Sequence, residues 1–119
     1  MRTILIVDND LATLELYQRE LGRAYRVLTS TNEREASEVL HAEEVSVVVL
    51  EPVALGEQGW ANLVALTRTS RQGGWVPVLV CSTQDDRKHS REMGAVGCLV
   101  KPVLPTALLD ALRNIERRA

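Results

Sequence analysis

Long apolar runs are missing from this 119-residue chain, and none approaches the roughly 20 residues that a membrane span requires. The opening MRTILIV gives way to the polar VDND after a few residues. That is too short for the hydrophobic region of a secretory signal, so a cytoplasmic protein is expected. Cysteine is scarce: Cys81 and Cys98 lack metal-ligand spacing and lie among apolar residues, where a free thiol behaves as a small buried hydrophobe. A disulfide is therefore not expected. Lysine is scarcer than arginine, Lys88 and Lys101 being the only two, so a lysine at the end of an apolar run stands out. The formal net charge of -2 argues against direct nucleic-acid binding. Repeats, low-complexity stretches and linker-like segments are absent, as are a glycine-rich phosphate loop and a GxSxG nucleophile turn. His41 and His89 read as solvated residues of surface helices, far from the strand ends, rather than as ligands or general bases. The pair Gly73 and Gly74 reads as a flexible connection.

What is present is ordinary in bulk and ordered in pattern. Hydrophobic residues make up 45% and charged residues 25%, enough for one domain with a core that needs no disulfide or metal. Short runs rich in valine, isoleucine and leucine predict strands at 3–7, 26–29, 45–50, 76–81 and 98–100. The third and fourth are apolar almost throughout, as suits strands covered on both faces. Between them lie helical stripes. Leu11, Leu14, Tyr17 and Leu21 follow an Asn9 or Asp10 cap; Ala36, Val39 and Leu40 follow Asn32, with Glu35 three residues on. Trp60, Leu63, Val64 and Leu66 make a third stripe, 85–93 a polar fourth helix closed by Gly94, and Pro105 opens a fifth carrying Leu108, Leu109, Leu112 and Ile115. Five strands alternating with five helices imply an α/β fold, a parallel sheet with helices on both faces.

Open parallel sheets bind ligands at the carboxyl ends of their strands. Those ends carry Asp8, Asn9 and Asp10 after the first strand, Glu51 after the third, Ser82 and Thr83 after the fourth, and Lys101 with Pro102 after the fifth. Singly, each has a plain use: Asn9 or Asp10 as a helix cap, Asp85 or Asp86 as another, and the rest as loop residues. Their joint arrival at one rim points to a site.

The segments ILIVDND, VVVLEP followed by LGEQGW, VPVLVCST and GAVGCLVKP resemble, in order and spacing, the successive signatures of bacterial response-regulator receiver domains, the CheY-like modules of two-component signalling. The resemblance covers essentially the whole chain and implies a five-stranded parallel sheet in the flavodoxin-like order 2-1-3-4-5, flanked by five helices in three layers. The chain then reads as one receiver domain, residues 1–119, standing alone or excised from a longer protein. In that family an aspartate ending the third strand accepts a phosphoryl group from a histidine kinase, aided by Mg2+ held by acids after the first strand. A hydroxyl ending the fourth strand and a lysine ending the fifth contact the phosphoryl group, and an aromatic on the fifth strand reports the change. Asp8, Ser82 and Lys101 match these positions, and Pro102 fits the usual cis-peptide site.

Three positions depart. Glu51 stands at the phosphoacceptor, Asn9 at the second acid and Cys98 at the aromatic switch. By resemblance a Mg2+ ion would be held by Asp8, Asn9, Glu51 and Val53, weakly, because the Asn9 amide contributes no charge. Asp10 compensates only if it does not cap the first helix. The extra methylene of Glu51 displaces its oxygen from the in-line position, while letting the carboxylate reach toward Lys101 and Ser82 as a partial phosphoryl mimic. The expectation is an atypical receiver, not an enzyme, with its site locked by Glu51 or kept as a relic. It would act on protein partners: a histidine kinase, or an output domain or protein at the face of the fourth helix, fifth strand and fifth helix, with a dimer as one arrangement. The alternatives are a phosphorylation-competent receiver, a small α/β enzyme or nucleotide-binding protein using the same rim, and a structural domain in which Glu51 and Lys101 form a salt bridge.

Overall fold

The computed structural model describes residues 1–69 and 75–118. Gly73 and Gly74 lie outside them. Five parallel strands, β1 (Thr3–Val7), β2 (Arg26–Ser30), β3 (Val47–Leu50), β4 (Val78–Ser82) and β5 (Gly97–Val100), form one sheet in the order β2-β1-β3-β4-β5. They alternate with α1 (Leu11–Leu21), α2 (Glu33–Ala42), α3 (Gly56–Thr67), α4 (Arg87–Glu92) and α5 (Pro105–Arg118). This is the flavodoxin-like, three-layer arrangement expected of the sequence.

Side chains of a strand alternate between its faces, and each face of the sheet buries a separate core. Ile4, Ile6, Val47, Val49 and Leu79 pack with Leu14, Tyr17 and Leu21 of α1 and Leu108, Leu112 and Ile115 of α5. Leu5, Val7, Val48, Leu50, Val78 and Val80 face the other way, onto Ala36 and Leu40 of α2 and Trp60, Leu63 and Val64 of α3. Leu109 and Leu66 lie only partly buried beside these cores.

Some boundaries differ from expectation. Val45 and Val76 are buried but stand outside the ladders of β3 and β4. Pro77 has no amide hydrogen to donate, although its carbonyl accepts from the Val48 amide at 3.0 Å. The fourth helix is shorter than 85–93: Asp85 turns back to Arg87, with Arg87 Nε donating to its Oδ1 at 2.8 Å, and α4 starts after Asp86. Gly94, at φ 85°, ends it as expected.

Both thiols are free, Cys81 buried and Cys98 half-buried. Burial pushes the Cys81 thiol up to about 12.

Candidate functional site

Parallel pairing continues one residue beyond the strands and fixes the rim. The Asp8 amide donates to the Ser30 carbonyl at 3.1 Å, the Glu51 amide to Val7 at 2.9 Å, and the Lys101 amide to Ser82 at 2.7 Å. Asp8, Glu51, Ser82 and Lys101 therefore leave neighbouring strands at the same level. The bond from Lys101 to Pro102 is cis, and the Tyr17 hydroxyl donates to the Val103 carbonyl at 2.8 Å, tying the loop after β5 to α1.

Asp8 and Glu51 are each only 2% exposed. Lys101 Nζ stands between them, donating to Asp8 Oδ2 at 2.7 Å and lying 3.2 Å from Glu51 Oε1. The remaining oxygens are also used: Asp8 Oδ1 accepts from the Asp10 amide at 2.9 Å, and Glu51 Oε2 from the Val53 amide at 3.3 Å. The second of these caps the 3₁₀ turn Pro52–Ala54. One ammonium thus bridges two buried carboxylates, which answers the expected reach of Glu51 toward Lys101.

Other expected members point elsewhere. Ser82 is 1% exposed and stands at the rim, but its Oγ donates to Asp86 Oδ2 at 2.5 Å rather than to Glu51. Its oxygen also accepts the Gln84 amide at 3.1 Å. Asp86 stands at the N-cap of α4, as its sequence position suggests, but makes no side-chain cap bond, because its carboxylate is turned to Ser82. Between Asn9 and Asp10, the cap of α1 is Asp10, which accepts from the Ala12 amide at 3.2 Å and the Thr13 hydroxyl at 2.7 Å. The Thr13 hydrogen bond holds its carboxyl below the usual range. Asp10 therefore does not replace the charge missing at Asn9, which is exposed. Cys98 packs against the α3 side of the core.

His89 corrects the sequence reading. It is half-buried and beside the rim, its ring edge-on to Trp60 with centroids 4.8 Å apart, and it shares a cavity wall with Ser82 and Asp86. The signal missed was the four-residue spacing from Ser82 to Asp86, which brings the turn before α4 back under β4. His41 stays on the exposed surface, with its Nδ1 2.7 Å from the Ser37 carbonyl.

These residues fall short of a magnesium site. Asp8 and Glu51 supply two carboxylates, both already bonded to an ammonium. Among the described residues no three His, Cys, Asp or Glu side chains gather closely enough to hold a metal ion.

Burial works to lower the Lys101 pKa, but the hydrogen bonds and charges of Asp8 and Glu51 outweigh it and leave the ammonium above its ordinary 10.5. A raised cationic pKa stabilises the fold fully below about pH 10.5, and that contribution is lost as pH rises through the folded-state value. Cys81 and Tyr25, each pushed up to about 12 chiefly by burial, must also ionise on alkaline unfolding. The Lys101 share is therefore expected as the extra downward slope, above pH 10.5, of the unfolding free energy relative to a Lys101→Met variant, measured by urea titration at each pH.

No helix among the described residues is long and apolar enough to cross a membrane. The transcriptional regulatory protein GltR of Pseudomonas aeruginosa is 30% identical over 122 residues, covering 99% of this chain and 50% of that protein, so the chain spans about half the length of this relative. The chemotaxis response regulator CheY4 of Vibrio cholerae superimposes with a TM-score of 0.83 at 26% identity, covering 97% of this chain and 98% of the other. DrrB, an OmpR/PhoB homologue of Thermotoga maritima, gives a TM-score of 0.79 at 25% identity over 99% of this chain and 54% of its own. Receiver domains are signalling modules of two-component systems that work with histidine kinases and output domains, and they typically bind Mg2+ at the phosphorylation site. Residues 4–113 match the response regulator receiver domain family, with Asp8, Glu51, Ser82 and Lys101 in one rim of the matching fold, and the chain belongs to that family.

Proposed function

We propose that the chain is a single receiver domain, residues 1–119, whose site is held by a fixed carboxylate instead of being switched by phosphorylation, and that it signals by binding other proteins. One observation carries this reading: Lys101 Nζ bridges Asp8 Oδ2 and Glu51 Oε1 while the Val53 amide takes Glu51 Oε2, so both oxygens of Glu51 are held by donors within the domain. Phosphoryl transfer is governed by positioning and charge stabilisation, and a misplacement of about 1 Å can cost about a hundredfold in rate. The longer glutamate side chain introduces such a misplacement. Asn9 leaves the metal site one charge short, and Asp10 is spent on its helix. Any Mg2+ bound here is held weakly.

The fixed charge mimics a phosphoryl group only in part. It engages Lys101, but the Ser82 hydroxyl is taken by Asp86, so the fourth-strand contact of a phosphorylated site is not made. With Cys98 in place of the aromatic, output cannot pass through the swing of a ring. Partners dock instead at the face of α4, β5 and α5, where Arg87, Lys88, Arg91, Val100 and Leu104 are exposed. A cytoplasmic histidine kinase, an output domain or protein, and a second copy of the chain are the partners this face suits. A role in gene regulation, as the name of GltR indicates for that protein, depends on sequence beyond the half that this chain matches.

Incubation with Mg2+ and acetyl phosphate, followed by intact-mass measurement, is expected to leave the protein unmodified. Stoichiometric gain of one phosphate on Glu51 would overturn the proposal.

A further inference from the structure

The loop joining β4 to α4 is folded around one hydroxyl. Ser82 donates through Oγ to Asp86 Oδ2 at 2.5 Å and accepts the Gln84 amide at 3.1 Å. A hydroxyl bonded to a carboxylate at this length is among the stronger kinds of hydrogen bond. Asp86 is also the N-cap residue of α4, a position from which an aspartate ordinarily accepts an amide two or three residues on. Here it does not. Its backbone stands at φ -97° and ψ 20°, outside the extended region of an N-cap, and the Lys88 and His89 amides find no acceptor among the described residues. Asp85 Oδ1 takes the Arg87 amide at 3.2 Å and leaves those two unserved. The caps of α1 and α2 show the contrast: Asp10 and Asn32 are extended, at ψ 106° and 172°, and each accepts an amide of its own first turn.

One carboxylate thus has two uses that compete. We infer that Asp86 is a latch with two positions. In the position seen here it holds the Ser82 hydroxyl away from Glu51 and leaves α4 uncapped. In the other its backbone extends, its carboxylate caps α4 at Lys88 or His89, and the freed hydroxyl turns to Glu51. The Gln84 bond does not prevent this, because Gln84 is exposed and water replaces the lost acceptor.

The latch gives the domain a route from rim to surface that needs no aromatic ring. Arg87, Lys88 and Arg91 of α4 stand exposed on the proposed docking face. A partner that favours the capped helix draws Asp86 from Ser82, and by linkage a hydroxyl drawn to the rim favours the capped helix. This use of the latch rests on Glu51 being a fixed charge; the competition for Asp86 does not.

Ser82→Ala removes one competitor and keeps the other. A bond that merely braced the loop would, on its loss, loosen α4. With the latch, Asp86 is released to cap, and hydrogen exchange at the Lys88 and His89 amides, followed by NMR, is expected to slow by about threefold or more. Adding Asp86→Ala should abolish that gain, because no carboxylate is left at the cap. In the other direction, Asp86→Ala frees the hydroxyl. It is expected to move the Glu51 carboxyl carbon resonance when made in the wild type and not when made in Ser82→Ala, whereas the loss of a charge by itself would move it equally in both. Unchanged or faster exchange at both amides in a folded Ser82→Ala variant, or equal movement of the Glu51 resonance in the two backgrounds, would overturn the latch. If Ser82→Ala does not fold, Ser82→Cys, a weaker donor of similar size, takes its place in both arms. Phosphate uptake by Glu51 would sink the fixed-charge reading and leave the exchange result standing, whereas a failed latch leaves that reading intact.

Discussion

Lys101→Met is expected to destabilise the fold by about 3 to 5 kcal/mol near neutral pH, a loss of about 10 °C or more in Tm. Asp8 and Glu51 are each 2% exposed and share this one ammonium, at 2.7 and 3.2 Å. Without it two carboxylates face each other with little water to screen them. Methionine fills the volume of the lysine stem, so the cavity contribution is small and the loss reports charge. Adding Asp8→Asn and Glu51→Gln to the methionine variant should recover most of the stability, because a buried ion group replaced as a whole is often close to neutral. Urea titrations of the wild type, the single variant and the triple variant measure all three quantities. A loss under about 1 kcal/mol would place the trio with solvated surface pairs instead.

The second large effect concerns gain of chemistry. Glu51→Asp alone is expected to take up phosphate poorly from acetyl phosphate and Mg2+, and Glu51→Asp with Asn9→Asp at least about a hundredfold faster. Shortening the side chain restores the position of the attacking oxygen. The second substitution supplies the missing charge, which Asp10 does not, since its carboxylate caps α1. Intact-mass time courses give both rates. Equal rates for the two variants would show that charge at position 9 matters little. In both variants the shorter carboxylate should also release Lys101 from its second partner.

Much of the fold is legible in the order of residues alone. The apolar runs mark the strands to within two residues at every end, because parallel strands covered on both faces admit little else. The slips at Val45 and Val76 come from residues that are buried without joining a ladder, a distinction composition does not carry. Asn32 is readable as a cap from its spacing to Glu35, whose amide it accepts at 2.9 Å. Glu35 itself, however, reaches back to the Thr31 amide at 2.8 Å, one residue further than the usual reciprocal cap.

The sequence by itself determined the fold and the membership of the rim, because parallel strands carry their ends to one side of a sheet and the polar residue closing each apolar run must emerge there. Only the tertiary structure decided who holds whom. Lys101 bonds to Asp8 across 93 positions of chain, Ser82 turns to Asp86 instead of Glu51, and His89 sets its half-buried ring edge-on to Trp60. A strand end is set by local pattern. A hydrogen-bond partner is set by which side chains packing brings within about 3 Å and which of them is left without another partner.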